Sequence, residues 1–502
     1  MVEPEIILGP PGTGKTTTLL GIVDDELKSG TSPDRIAYVS FTRRAATEAQ
    51  TRAKEKFNLQ RKDLPWFRTL HSLCMVCLGI DSAAVFDGDR LQEFAGYIKE
   101  TITGRFSASD GSYTGYERGD RMLFMDNLSR VRQVSLADQY DRDHDNIDWS
   151  IVERFSTGLQ KFKEANQLVD YTDMLQLFIE YQAAPPLDVL VVDEAQDLSR
   201  LQWAVVRELG KSCRRIVIAG DDDQAIFLWA GADVQTFINM KGQVRVLGQS
   251  WRTPVHVQNL ANKIISRVSN RRPKVWSPRA ENGRVGTMSD TSNLDWTGNS
   301  IMVLGRNQSH LYRIMDELKS NGVFYEHHGH PSIKKSLLDG IVTWELLRRG
   351  EAVFAKDVRK VYDLMTNNVG YKRGFKSLAA FKDNDRIKMN DLIQKGGLLA
   401  TGIWHEALDR INPVDRTYIV RCRRNQERLS QAPRVRVGTI HESKGGEADK
   451  VILLTDMAPR TYKESIDNPQ DEARVWYVGA TRARDELWIL NPRTNKNFTV
   501  PT

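Results

Sequence analysis

The chain has 502 residues, 40% of them hydrophobic and 27% charged, with 71 lysines and arginines against 65 acidic residues. That length excludes a single core, since cores stop growing near ~250–300 residues, and no run approaches the ~18 uninterrupted apolar residues of a membrane span. Four cysteines are too few for a disulfide framework, so an intracellular, cytoplasmic protein with no membrane partner is expected, and the net charge of +6 suits a polyanion without identifying one.

The first apolar run, Ile6-Ile7-Leu8, leads into Gly9-Pro10-Pro11-Gly12-Thr13-Gly14-Lys15-Thr16, and a helix is predicted from Thr17 to Lys28. Strand, G-x-x-x-x-G-K-T loop and helix start together make a phosphate cradle: the glycines let backbone N–H groups converge on an oxyanion, and the helix end adds partial positive charge. Lys15 is expected to reach the β- and γ-phosphates and Thr16 to offer its hydroxyl to Mg²⁺. Arg35 to Ser40 reads as a second strand, and a helix opens at Phe41-Thr42-Arg43 and runs to about Lys56. Ligands in such α/β sheets bind beyond the carboxyl ends of the strands. Phe41 and Thr42 therefore stand at the rim, where Phe41 either meets a base or closes the core. His71, in Phe67-Arg68-Thr69-Leu70-His71-Ser72, carries no role by itself. Cys74 and Cys77 have metal-ligand spacing, but no second close pair completes a four-ligand site, so two buried helix thiols are expected.

Residues 80–184 read as a mainly helical, charge-rich insertion, with a loop expected from Ser107 to Asp120. Leu187 to Val192 resumes a buried strand that ends in Asp193-Glu194-Ala195-Gln196-Asp197. Alone, this acidic turn also admits a helix cap as its lesser reading; beside a phosphate cradle, Asp193 is expected to hold Mg²⁺ and Glu194 to polarise the attacking water. A further strand, Arg215 to Ala219, runs into Gly220-Asp221-Asp222-Asp223-Gln224, where the Gln224 amide can bond both a terminal phosphate and a water. Phe227 and Trp229 lie two apart and would share a face in an extended stretch, either as a base-stacking platform or as core. The stretch from Pro459 to Gln470 is expected to be a loop. Residues 346–430 form a helical, basic insertion with Arg348, Arg349, Lys372, Arg373, Lys376, Arg421, Arg423 and Arg424, which either grips duplex phosphates or presents solvated helix faces.

Taken in order, GPPGTGKT, SFTRRAA, TLHS, VVDEAQD, GDDDQAIFLWAGA, QSWRTP, GTIHESKGGE and YVGATRAR resemble the signature motifs of the UvrD/Rep/PcrA-like branch of superfamily-one DNA helicases. The resemblance implies an α/β fold of two RecA-like P-loop lobes with parallel sheets, each carrying a helical insertion. The lobes would be residues 1–79 with 185–250 and 251–345 with 431–502, and the insertions 80–184 and 346–430. It implies that Gly9 to Thr17 bind the nucleotide, that Trp251 stacks on the adenine, that Arg252 contacts the terminal phosphate and that Glu447 bonds the ribose. Arg482 would be an arginine finger, a group worth on the order of 10³–10⁵ in rate. Phe41, Thr42, Arg43, His71, Phe227, Trp229, Thr439 and His441 would line the path of single-stranded DNA.

Two positions depart from the family pattern. Ala230 stands where relatives commonly have arginine, and Arg43 where many have asparagine. The expected activity is ATP- and Mg²⁺-dependent helicase action on single-stranded DNA and single/double-strand junctions, with a replication or repair accessory protein as a further partner. The spacing in His441-Glu442-Ser443-Lys444-Gly445 resembles the branch that moves 3′ to 5′. The alternative is a translocase that displaces proteins but unwinds poorly without a partner. A nucleotide-switched scaffold without turnover has no need of the intact set Lys15, Asp193, Glu194, Gln224 and Arg482.

Overall fold

The computed structural model describes residues 2–501 apart from 42, 105, 108–113, 116, 143–145, 292–293 and 299, and the side chains of 43–45, 106–107 and 114–115 also lie outside the description. The chain forms two compact units, Met1–Met288 with Thr439–Thr502 and Ser289–Gly438. The fold is mixed α/β with parallel-stranded sheets, as two RecA-like lobes require.

In the first unit a six-stranded parallel sheet runs in the order Phe67–Thr69, Ile36–Ser40, Val189–Asp193, Arg215–Gly220, Glu5–Leu8, Gln243–Val246. The central strands are apolar almost throughout because helices cover both faces. The helix Lys15–Lys28 lays Leu19, Leu20, Ile22 and Val23 on one face. Arg200–Leu209 lays Leu201, Trp203, Val205 and Val206 on the other. Each such side chain, once fully buried, contributes about 1.5–3 kcal/mol. All six strands therefore release their loops at one edge, where glycine-rich and acidic turns gather.

The same unit holds a helical insertion with its own core, in which Phe94, Phe155, Met122 and Leu159 pack together. Its loop expected at Ser107 to Asp120 lies largely outside the described residues; a short antiparallel pair, Phe106–Ser107 with Thr114–Gly115, and the helix Arg118–Arg132 are described there. Also in this unit, Ala448–Leu454, Ala483–Leu490 and Arg284–Met288 pair in parallel. Pro459 to Gln470 is not a loop. Pro459 and Pro469 each begin a helix, Pro459–Asp467 and Pro469–Ala480, because proline costs nothing at the first helical position, where its missing N–H would have no partner.

The second unit contains Ile301–Gly305 and Tyr325–His327 on either side of the strand that starts at Val435, with helices including Lys335–Arg348, Ala355–Asp363 and Pro413–Arg424. Several of its basic side chains have local partners: Arg348 with Glu345, Lys376 with Asp363, and Arg421 with the Ser320 carbonyl. Among the described residues no helix is long and apolar enough to cross a membrane.

Candidate nucleotide site and strand path

The cradle follows the first strand directly. Gly12 (φ 72°) and Gly14 (φ 78°) adopt the left-handed conformation that lets the loop fold back over the helix end. The helix itself opens at Lys15, two residues ahead of the expected Thr17. A Cβ on Gly12 would lie 2.3 Å from Arg252 Cβ, so only glycine admits this approach. The approach is stitched by Trp251 N–H donating to the Gly12 carbonyl at 2.8 Å and by Ser250 Oγ donating to the Pro11 carbonyl at 2.7 Å. Thr16 is half-buried and Thr17 exposed. The Trp251 ring is 74% exposed beside the cradle, free to stack on a planar group.

Opposite the cradle, Val189–Asp193 delivers the acidic turn. Lys15 Nζ lies 3.1 Å from Asp193 Oδ1 and 2.5 Å from Glu194 Oε1. Burial pushes the Asp193 carboxyl up, against the attraction of Lys15. Burial pushes Glu194 the same way, but there the charges of Lys15 and Lys444 win and hold it at about 2, so Glu194 is ionised at neutral pH. Burial alone would lower Lys15; its two carboxylate partners reverse this and hold it fully charged. Glu194 sits at φ 55°, a strained backbone for a residue with a Cβ and one typical of functional turns. Tyr38 donates to Asp193 Oδ2 at 2.8 Å, and burial beside that carboxylate raises its phenol far above the ordinary value.

Gln196 joins this turn to the next one. Its Nε2 donates to Glu194 Oε2 at 2.6 Å and to Asp197 Oδ2 at 3.1 Å, and its Oε1 accepts the Asp221 N–H at 2.9 Å. Lys444 Nζ donates to Asp197 at 2.6 Å and to the Gln224 carbonyl at 2.5 Å. Gln224 donates to Asp221 Oδ2 at 2.7 Å and accepts from Arg482 Nη2 at 2.9 Å. Arg482 is 1% exposed; burial and the like charge of Arg252 lower it to about 9, which leaves it a cation at neutral pH. Arg252 Nε donates to Glu447 at 2.5 Å. Lys15, Glu194, Gln224, Arg252, Glu447 and Arg482 thus surround one region at the sheet edge.

The expected strand-path residues fall into separate groups. Phe41, Phe227 and His441 form one cluster, with ring centroids 5.4 Å apart for the first pair and 6.3 Å for the second, and Lys444 Nζ stands 5.1 Å from the Phe227 ring. Phe227 and Trp229 do not share an extended face. A single 3₁₀ turn, Leu228–Ala230, closed by Gly231 at φ 96°, turns Trp229 onto Phe124 of the helical insertion at 6.4 Å. His71 meets Tyr171 edge-on at 6.1 Å, on the wall of a cavity of about 670 Å³ that Phe41 and Arg68 also line. Thr439 is fully buried and its hydroxyl accepts the Glu442 N–H, so it shapes the turn. Thr42 and the side chain of Arg43 lie outside the described residues.

Residues 2–245 match the UvrD/REP helicase N-terminal domain, and residues 417–493 the UvrD-like helicase C-terminal domain. The chain belongs to the UvrD/Rep helicase family. It is 23% identical over 306 residues to a Staphylococcus epidermidis protein named ATP-dependent DNA helicase PcrA, across 56% of this chain and 41% of the relative. Identity to the proteins of that name from Bacillus subtilis and Staphylococcus aureus is 25% over 314 residues and 24% over 307. Those matches cover 55% and 56% of this chain and 40% of each relative. The matched stretch thus spans about two fifths of the length of these relatives.

In this UvrD-like chain the donor set of the first acidic turn fits a hydrated divalent cation. Thr16 and Asp193 offer hard oxygens of the kind Mg²⁺ takes. Ser40, the register neighbour of Asp193, has a buried hydroxyl without a partner among the described residues. Asp221, Asp222 and Asp223 look like a richer metal site, with oxygens within 4.8 Å of one another. They are already neutralised: Lys274 Nζ lies 3.2, 2.7 and 3.0 Å from the three. Arg271 pairs with Asp223, and the Arg272 N–H donates to Asp222 at 2.8 Å. Arg474 Nε donates to the Asp222 carbonyl at 3.0 Å.

Sequence reasoning gave no role to Tyr38, Gln196, Asp197, Lys274, Arg271 or Arg474. The available signals were a tyrosine in an otherwise aliphatic strand and the compact Arg271-Arg272-Pro273-Lys274 run. Of the two thiols expected to be buried on a helix, Cys74 is buried and Cys77 only half-buried, both on one helix, with burial raising the Cys77 thiol to about 11 and Cys74 further.

Proposed function

We propose that this chain is an ATP-dependent DNA helicase that moves 3′ to 5′ on single-stranded DNA and opens duplex at single/double-strand junctions, in the cytoplasm of a bacterial or phage-infected cell. The observation that carries this reading is the continuous contact from Lys15 through Glu194, Gln196, Asp221 and Gln224 to Arg482. It links a phosphate cradle to a buried cation supplied by a distant part of the chain. Lys15 and the backbone of Gly9 to Thr17 bind the phosphates, Trp251 stacks on the base, and Glu447 bonds the ribose once Arg252 turns to the terminal phosphate. Thr16 and Asp193 hold Mg²⁺, which offsets phosphate charge. Glu194, kept ionised, accepts a proton from the attacking water. Gln224 and Arg482 face the transferring phosphoryl group, so loss of that group alters contacts that reach Lys444, and through it the ring of Phe227. The Phe41–Phe227–His441 cluster grips bases by stacking, a contact worth about 1–3 kcal/mol per base, and the cavity lined by Phe41 and His71 continues the path.

The deciding experiment is strand displacement with ATP and Mg²⁺ on matched duplexes bearing a 3′ or a 5′ single-stranded tail, with Lys15→Ala as the blank. Unwinding from the 3′ tail alone is expected. Unwinding from the 5′ tail alone would overturn the polarity. DNA-stimulated hydrolysis with displacement of a bound protein but no unwinding would select the translocase that needs a partner.

A further inference from the structure

The Asp193 carboxylate is held by two groups besides Lys15. Its Oδ1 accepts the Glu194 N–H at 2.9 Å, and its Oδ2 accepts the Tyr38 hydroxyl at 2.8 Å. Tyr38 is fully buried on Ile36–Ser40, where Tyr38 pairs in register with Val191 and Ser40 with Asp193. Residues two apart on a strand share a face, so the phenol points along that face toward the carboxyl end, where Asp193 stands. Phe67, on the neighbouring strand, stacks on the ring at 5.4 Å and 19°.

Lys15 has two callings. It now neutralises Asp193 and Glu194, and under the function proposed above it turns to the phosphates when nucleotide enters. Among the described residues Asp193 then keeps the Glu194 amide and Tyr38, which grip opposite oxygens and together fix the carboxylate plane. We infer that Tyr38 is a positioning residue for the divalent cation that accompanies the nucleotide: its hydroxyl holds Asp193 in the orientation that receives the ion after Lys15 has left. The inference rests on the assignment of Asp193 as a holder of that ion. Partners that orient a liganding carboxylate are typically worth 10–100-fold in metal affinity.

The test uses the full chain with ADP and Mn²⁺, following free Mn²⁺ by electron paramagnetic resonance. Tyr38→Phe is expected to weaken Mn²⁺ binding about tenfold while leaving ADP binding in EDTA unchanged. Asp193→Asn is expected to weaken it further, and Tyr38→Phe added to Asp193→Asn to change nothing more. Phe67→Leu, which removes the ring stack and keeps the hydroxyl, is expected to bind Mn²⁺ as the unaltered chain does. Unchanged Mn²⁺ binding in Tyr38→Phe beside an impaired Asp193→Asn would overturn the inference alone. Unchanged binding in Asp193→Asn would overturn the assignment beneath it. Equal weakening in Tyr38→Phe and Phe67→Leu, or loss of ADP binding by Tyr38→Phe in EDTA, would make the phenol a packing element and overturn the inference as well.

Discussion

Two acidic turns leave adjacent strands at the same sheet edge, and they are built for opposite purposes. Asp193 and Glu194 share one lysine, and the Glu194 side chain remains 27% exposed, so both can exchange partners. Asp221, Asp222 and Asp223 enclose the Lys274 side chain at 0% exposure and add Arg271 and the backbone amide of Arg272. Both turns concentrate negative charge beside a phosphate site, which alone would repel a nucleotide. One resolves this with a cation that is able to leave, the other with cations that are locked in. The number of carboxylates alone therefore does not mark the turn proposed to take the metal: the richer cluster is closed around a buried lysine, while Glu194 stays partly exposed. Gln196, bonded to Glu194, Asp197 and the Asp221 amide, keeps the exchangeable turn in register with the locked one.

The largest effect should come from Arg482, the buried cation proposed to face the transferring phosphoryl group. Arg482→Ala is expected to lower the hydrolysis rate by about 10³–10⁵ while nucleotide still binds, because Lys15 and the cradle backbone are untouched. Single-turnover hydrolysis beside equilibrium ADP binding separates the two. A matching loss of ADP binding would show that Arg482 braces the site through Gln224 and is not a finger.

The cradle and the first acidic turn could be placed at a helix start and a strand end because such loops need particular residue types side by side, whereas Arg482 stood out only through the resemblance of YVGATRAR to a family motif. What could not be read depends on contacts between distant segments. Tyr38 reaches a carboxylate 155 positions away, and Arg474 a carbonyl 252 positions away. Nothing in the spacing of Asp221 to Asp223 says that a lysine fills them. Phe227 and Trp229 were misread for a local reason: period-two logic assumes an extended chain, and Gly231 closes a turn there instead. Pro459 to Gln470 reads as a loop, yet its two prolines both occupy helix starts.

A sharper test of the comparison is to remove each lysine in turn. Lys274→Met leaves three enclosed carboxylates short of their main counter-charge and is expected to cost about 3–5 kcal/mol of stability. Lys15→Met should cost about half of that or less, since Glu194 reaches solvent and Asp193 keeps Tyr38 and a backbone amide, but it should abolish nucleotide binding. Urea unfolding monitored with and without ADP would measure both. Equal destabilisation by the two changes would erase the distinction between exchangeable and locked charge.

The smallest effect concerns one carboxylate beside the first turn and is read by pH. Asp197, tied to the first turn through Gln196, has its Oδ1 buried without a partner among the described residues. Burial pushes its carboxyl from the ordinary 3.8 up to about 6, with Glu194 pushing the same way and Lys444 and Lys15 pulling against them. Between pH 3.8 and about 6 the folded state therefore binds more protons at this position than the unfolded chain does. Its contribution to stability falls as pH rises through that window and stays low above it. Asp197→Asn cannot titrate, so its stability relative to the unaltered chain should climb by about 2–3 kcal/mol between pH 4 and pH 7. Taking the difference between the two proteins cancels the opposite trend from Glu194, whose depressed carboxyl loses its stabilising charge only as pH falls toward 2. A flat difference across pH 4 to 7 would mean that Lys444 offsets the burial of Asp197 and holds its carboxyl near the ordinary 3.8.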